Sequence, residues 1–200
     1  MGCVLPQQGF LESLRKICDE ENIVFILDEV MTGFGRTNTL FACDQVSTAA
    51  DMICLSKGLT GGTMPMGITS CAQHIFDAFY DDDRMKTLYH GHSYTANPIA
   101  CTAGLASLDL LLSDESKADR QRIITAHNAF VQQIKNHASI TDVRQEGTVL
   151  AIELYTGTQT SYHHSQRDFI YNFFLQRGIL MRPLGNIIYL IPPYCISNEQ

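Results

Sequence analysis

The sequence predicts an α/β fold for its first part, a mainly parallel sheet with helices, followed by an α+β segment. Three observations predict it. Short apolar runs alternate with stretches of helical periodicity up to residue 112. After Leu112 the pattern changes to one long polar helix, then strands and a further helix. Hydrophobic residues make up 45% of the 200 and charged residues 18%, enough for a sizeable core and too apolar for a disordered tail. The chain is therefore read as two domains, 1–112 and 113–200.

Residues Gly9 to Asn22 carry Phe10, Leu14, Ile17 and Cys18 at helical spacing, with Glu and Lys between them. Ile23 to Leu27 is a continuous apolar run, as in a strand buried on both faces. Asp51 to Leu55 and Met66 to Cys71 are further short strands. Pro98 to Leu112 is Ala-rich, with Gly104 and Ser107, and reads as a tightly packed helix. Ser113 to His137 reads as a long amphipathic helix opened by Asp114 and Glu115, acids placed to suit the helix dipole. Strands follow at Asp142 to Arg144 and Val149 to Leu154. A helix from Ser165 to Arg177 is closed by Gly178 as C-cap. Strands at Ile179 to Met181 and Ile187 to Ile191 complete the pattern. Ser197 to Gln200 reads as an N-cap and first turn with no helix after it, and the chain starts close to the helix before a central strand. The expectation is a fragment or a truncated product.

Composition excludes several function classes. Net charge is −7, the wrong sign for a general nucleic-acid or anionic-membrane binder. No apolar run approaches the roughly 18–20 residues that span a bilayer. The first residues lack a basic region followed by an apolar stretch, so no signal peptide is expected. Met1-Gly2 suggests myristoylation, but Pro6 stands where Ser or Thr is wanted. Seven cysteines, an odd number with no C-x-x-C pair, read as reduced thiols of a cytoplasmic protein. His90-x-His92 and His163-His164 lack the spaced partners of a zinc site, so no metal is expected.

Asp28 ends a buried apolar run, at the strand end where open α/β sheets bind ligands. A carboxylate there is costly unless it meets a cation. Lys57 follows another short strand and precedes Gly58, Gly61 and Gly62, which permit close backbone approach to a bound group. Alone, Asp28 reads equally as an acid capping the next turn, and Lys57 as a surface lysine. Together they are the pair that pyridoxal phosphate needs: an acid for its pyridinium nitrogen and an amine for a Schiff base. The bend Gly33-Phe34-Gly35-Arg36-Thr37 lacks the spacing of a nucleotide-phosphate loop.

D-E-V-x-T-G-F-G-R-T at 28–37, S-K-G-L-T-G-G at 56–62 and H-G-H-S-Y-T-A-N-P at 90–98 resemble the class III aminotransferases, pyridoxal 5′-phosphate enzymes of fold type I. The resemblance covers essentially the whole chain. Leu40 to Cys43, Asp51 to Leu55, Leu59 to Thr63 and above all Arg182 to Tyr194 are similar to the biotin-synthesis branch of that family. It implies amino transfer from S-adenosylmethionine to 8-amino-7-oxononanoate, giving 7,8-diaminononanoate, by a cytoplasmic homodimer with no nucleic-acid or membrane partner. Ornithine, 4-aminobutyrate, another ω-amino acid or lysine is the alternative donor, and an inactive fragment is the alternative of a different class.

Residue by residue, the resemblance implies that Lys57 holds the cofactor covalently and shuttles the proton. Asp28 pairs with the pyridine nitrogen. Ser93 reaches the cofactor phosphate of the neighbouring subunit, helped by the backbone amides of Gly91 and His92. Arg182 holds the substrate carboxylate, or else makes a rim salt bridge. Tyr189 lines the substrate pocket. Arg36 lies near the substrate or braces its own loop. Asn38 stands where the family has glycine, a replacement that tolerates a left-handed backbone. The family's N-terminal half, which supplies a phosphate loop and a ring-stacking aromatic residue, has no counterpart in these 200 residues.

Overall fold

The computed structural model describes residues 4–46 and 48–200. Met1, Gly2 and Cys3, on which the myristoylation and one cysteine reading fall, lie outside the described residues. The chain separates into two compact units, Gln7–Ser113 and Asp114–Gln200, the latter including residues 4–6.

In the first unit, helix α1 (Phe10–Glu20) leads to strand β1 (Ile26–Asp28), then β2 (Met52–Leu55), β3 (Ile68–Cys71), the short helix α2 (Gln73–Asp77) and helix α3 (Pro98–Leu112). The sheet order is β1-β2-β3. β1 and β2 are parallel, with Ile26 opposite Met52 and Asp28 opposite Cys54. β3, read from the sequence only as a strand, runs antiparallel to β2. Asn97 caps α3, its Oδ1 accepting from the N–H groups of Ile99 and Ala100 at 2.9 and 3.2 Å, and Pro98 takes the first helical position.

The run Ile23 to Leu27 departs from expectation. The strand starts at Ile26, and Ile23, Val24 and Ile26 are each about half exposed, whereas Phe25 is buried. The expected burial on both faces is not seen because β1 has a strand neighbour on one side only among the described residues.

The second unit opens with α4 (Asp114–Ile134), followed by β4 (Ile140–Glu146), β5 (Val149–Leu154), α5 (Gln166–Leu175) and β6 (Ile187–Leu190). Its sheet is antiparallel in the order β4-β5-β6. Central β5 supplies the core through Val149, Leu150, Ala151 and Ile152, joined by Ile123 of α4, Ile170 of α5 and Ile187 of β6. α5 ends as expected at Gly178, which has φ +75°. The Gly178 N–H donates to the Leu175 carbonyl and the Ile179 N–H to the Phe174 carbonyl, both at 3.0 Å, the paired bonds of a Schellman motif.

Ile179 to Met181, expected as a strand, joins no ladder among the described residues. Leu180 is 82% exposed, so its apolar character reflects no sheet. At the end of the chain the Ser197 N–H donates to Gln200 Oε1 at 3.0 Å, and the Ser197 hydroxyl donates to the Glu199 carboxylate at 2.7 Å. Among the described residues six cysteines are free, no helix is long and apolar enough to cross a membrane, and no three His, Cys, Asp or Glu side chains gather as a metal site would require.

Candidate active site

The parallel pairing of β1 and β2 brings their C-terminal ends side by side. Asp28 is the last residue of β1, opposite Cys54. Lys57 opens a 3-10 turn, Lys57–Thr60, directly beyond β2. Acid and amine thus emerge at the same end of one sheet, where α/β sheets bind ligands. Both residues are exposed. Asp28 Oδ1 accepts the Val30 N–H at 3.0 Å, and Oδ2 accepts no hydrogen bond from the described residues. Lys57 has φ +45°, an unusual conformation for any residue but glycine.

The sequence reading passed over Glu29. Its side chain is buried, with 3% of the residue exposed. The carboxylate accepts the N–H groups of Ala42 at 3.1 Å and Cys43 at 2.8 Å, and the Thr32 hydroxyl. The Glu29 N–H continues the sheet pattern, donating to the Cys54 carbonyl at 3.0 Å. Glu29 therefore fastens both ends of the 29–43 loop to the sheet end. The Cys43 thiol beside it is pushed up to about 11, by burial first and then by the Glu29 charge.

The lysine turn is held on several sides. The Ser56 hydroxyl donates to the Met66 carbonyl at 2.7 Å, and the buried Thr60 hydroxyl to the Met64 carbonyl at 2.6 Å. The Ser107 hydroxyl of α3 donates to the Gly58 carbonyl at 3.3 Å. Gly58 has to be glycine because Phe34 fills the adjoining space: a methyl group at 58 would lie 2.9 Å from Phe34 Cβ.

The other sequence-predicted residues are distributed as follows. Arg36 is half-buried in the Gly33–Thr37 bend, and Asn38 just beyond it has φ +81°. Gly91, His92 and Ser93 lie in an exposed loop before α3, closed by the Thr95 N–H donating to the His92 carbonyl and the His92 N–H donating to Thr95 Oγ1, each at 3.0 Å. Arg182 and Tyr189 belong to the second unit. Arg182 is exposed just before the buried Pro183, and Tyr189 is half-buried on β6 opposite Ala151.

The family model described as aminotransferase class-III matches this chain over residues 1–200. The chain belongs to the class III aminotransferases. Over 199 residues it is 41% identical to the adenosylmethionine-8-amino-7-oxononanoate aminotransferase of Synechococcus elongatus, covering all of this chain and 46% of that protein. A protein named omega-aminotransferase from Caulobacter vibrioides is 35% identical, with coverage of 100% and 45%. The crystal structure of the adenosylmethionine-8-amino-7-oxononanoate aminotransferase of Methanocaldococcus jannaschii superposes with a TM-score of 0.88 at 35% identity, over 99% of this chain and 47% of that one. The chain thus spans about half the length of the relatives it matches. Class III aminotransferases depend on pyridoxal 5′-phosphate. The strand-end residues fit that cofactor's chemistry: Asp28 has a carboxylate oxygen that accepts no hydrogen bond from the described residues, and Lys57 has a primary amine, exposed at the same sheet end.

Proposed function

We propose that this chain forms part of an aminotransferase that moves the amino group of S-adenosylmethionine to 8-amino-7-oxononanoate, giving 7,8-diaminononanoate in biotin synthesis. The observation that carries the reading is the placement of Asp28 and Lys57 at the same end of adjacent parallel strands. Relatives of that name at 35–41% identity support the choice of substrates.

Pyridoxal phosphate, when bound, supplies an electron sink for the carbanion left when a proton departs from the amino-bearing carbon. Lys57 Nζ would hold the cofactor through its aldehyde carbon, with loss of water, and once released as a free amine would move a proton between the amino-bearing carbon and the former aldehyde carbon. Asp28 holds the ring nitrogen and keeps its proton in place. The Ser93 hydroxyl, with the Gly91 and His92 amides, would bind the phosphate of the cofactor held in the neighbouring subunit of a cytoplasmic homodimer. The Arg182 guanidinium holds the substrate carboxylate in two-point fashion, and Tyr189 lines the pocket. Arg36 lies beside the substrate or braces its loop. A second reading, an ω-amino acid as donor, is favoured by the Caulobacter vibrioides relative.

Borohydride reduction of the assembled holoenzyme followed by peptide mapping tests the centre of the proposal. The adduct is expected on Lys57, and an adduct on another lysine would refute the assignment. Lys57→Ala should bind cofactor without the covalent link and lose turnover by several orders of magnitude. A donor panel of S-adenosylmethionine, lysine, ornithine and 4-aminobutyrate separates the two substrate readings.

A further inference from the structure

We infer that Phe34 is a positioning residue for Lys57, an inference that rests on the reading of Lys57 as the cofactor lysine. Where the 29–43 loop meets the lysine turn, two residues other than glycine hold left-handed backbones: Phe34 at φ +62° and Lys57 at φ +45°. An L-residue keeps that conformation only where its surroundings over-determine it.

The surroundings do so here. Phe34 is buried and packs against Gly58, whose absent side chain would meet Phe34 Cβ at 2.9 Å and ring Cδ2 at 3.0 Å. The ring of Phe34 meets that of Phe41 edge-on, with centroids 5.7 Å apart. Phe41 precedes Ala42 and Cys43, whose N–H groups are fastened to buried Glu29. The Gly35 N–H closes the bend by donating to the Leu40 carbonyl at 3.0 Å. The Gly58 carbonyl is meanwhile held by Ser107 of α3. Gly58 is thereby held between Phe34 and α3, with the Gly58–Leu59 peptide fixed by Ser107 and the Leu59 N–H donating to the Ser56 carbonyl across Lys57 at 3.0 Å. The backbone angles of Lys57 set the direction of its Cα–Cβ bond, so a turn that relaxed into the right-handed region would re-aim the amine. Phe34 acts through Lys57, from behind the turn.

The test is a pH titration of the visible absorbance of the cofactor attached to Lys57 in the holoenzyme. Phe34→Leu keeps an apolar filler without the aromatic ring, and Phe34→Ala removes it. Both should move the titration midpoint, the alanine variant by about half a pH unit or more. Turnover should fall about tenfold or more while KM for the amino donor stays within about threefold. Gly58→Ala, which pushes the ring from the opposite side, should move the midpoint too. Leu150→Ala, in the core of the other unit, should lower Tm and leave the midpoint alone. An unchanged midpoint in Phe34→Leu and Gly58→Ala, with the borohydride adduct still on Lys57, overturns the inference and leaves the functional reading standing. An equal shift in Leu150→Ala also overturns it, since general loosening then explains the effect. An adduct on another lysine overturns the functional reading and this inference with it.

Discussion

Asp28 and Glu29 are neighbouring acids with opposite environments. Asp28 faces solvent at the strand end and spends one oxygen on a local turn. Glu29 is buried and ties a loop to the sheet with charge-assisted bonds. The second holds the frame, and the first is the one proposed to act on the cofactor. Asp28→Asn should therefore keep cofactor occupancy and lose most of kcat, because the shape is retained and the charge that holds a ring proton is gone. Near-normal kcat at saturating cofactor would refute that role. Arg182, exposed before a buried proline, has the planar fork that a carboxylate takes. Arg182→Ala should raise KM for 8-amino-7-oxononanoate tenfold to over a hundredfold, the equivalent of a charge-assisted bond of about 1.5–3 kcal/mol. Arg182→Lys should rescue little of this, and full rescue would argue for a simple charge contact.

At the scale of elements, the N-terminal ends of β1 and β2 are braced too, through Asp51. Asp51, just before β2, accepts the Phe25 N–H at 2.7 Å and Arg15 Nη1 of α1 at 2.8 Å. The Arg15 guanidinium also sits over the Phe25 ring, 5.4 Å from its centroid, and His74 Nε2 of α2 lies 3.6 Å from the second Asp51 oxygen. Arg15 first, and then the Phe25 amide, hold the Asp51 carboxyl below the usual carboxylate range. A depressed folded-state value means that the brace is fully present well above the unfolded-state pKa of about 3.9, and is lost as pH falls through the folded value. Thermal melts between pH 7 and pH 3 should show stability falling at the acid end, with a shallower fall in Asp51→Asn. Equal acid slopes for the two proteins would remove Asp51 from the account.

At the scale of the molecule, the first unit leaves much apolar surface uncovered. Ile23, Val24 and Ile26 lie along and before the open edge of β1, and Ile99, Leu105 and Leu110 of α3 are each about two-thirds or more exposed. An open strand edge beside apolar surface invites association. The chain also spans about half the length of its relatives. The 200-residue chain expressed alone should therefore associate non-specifically and show no transaminase activity at saturating pyridoxal phosphate. Light scattering that found a monodisperse species, together with turnover of S-adenosylmethionine and 8-amino-7-oxononanoate, would contradict this.

What the sequence determined by itself is what local chemistry dictates. The helices at 10–20, 98–112 and 114–134 follow from apolar spacing and from caps such as Asn97. The stop at Gly178 and the left-handed Asn38 follow from the freedom of those two residue types. Lys57 was legible only together with Asp28, because a lysine at a strand end reads alone as a surface group and gains a role from an acid at the end of the neighbouring strand. Tertiary structure alone decided the antiparallel course of β3, the exposure of Ile23 to Ile26, the absence of a strand at 179–181 and the burial of Glu29. It also decided that Phe34 would lie under Gly58. Each of these depends on a partner distant along the chain, or on the lack of one, and hydrophobicity does not encode which distant surface arrives. An apolar run reads the same whether a neighbouring strand covers it or leaves it open, because burial is a property of the pair of surfaces that meet and not of either one alone.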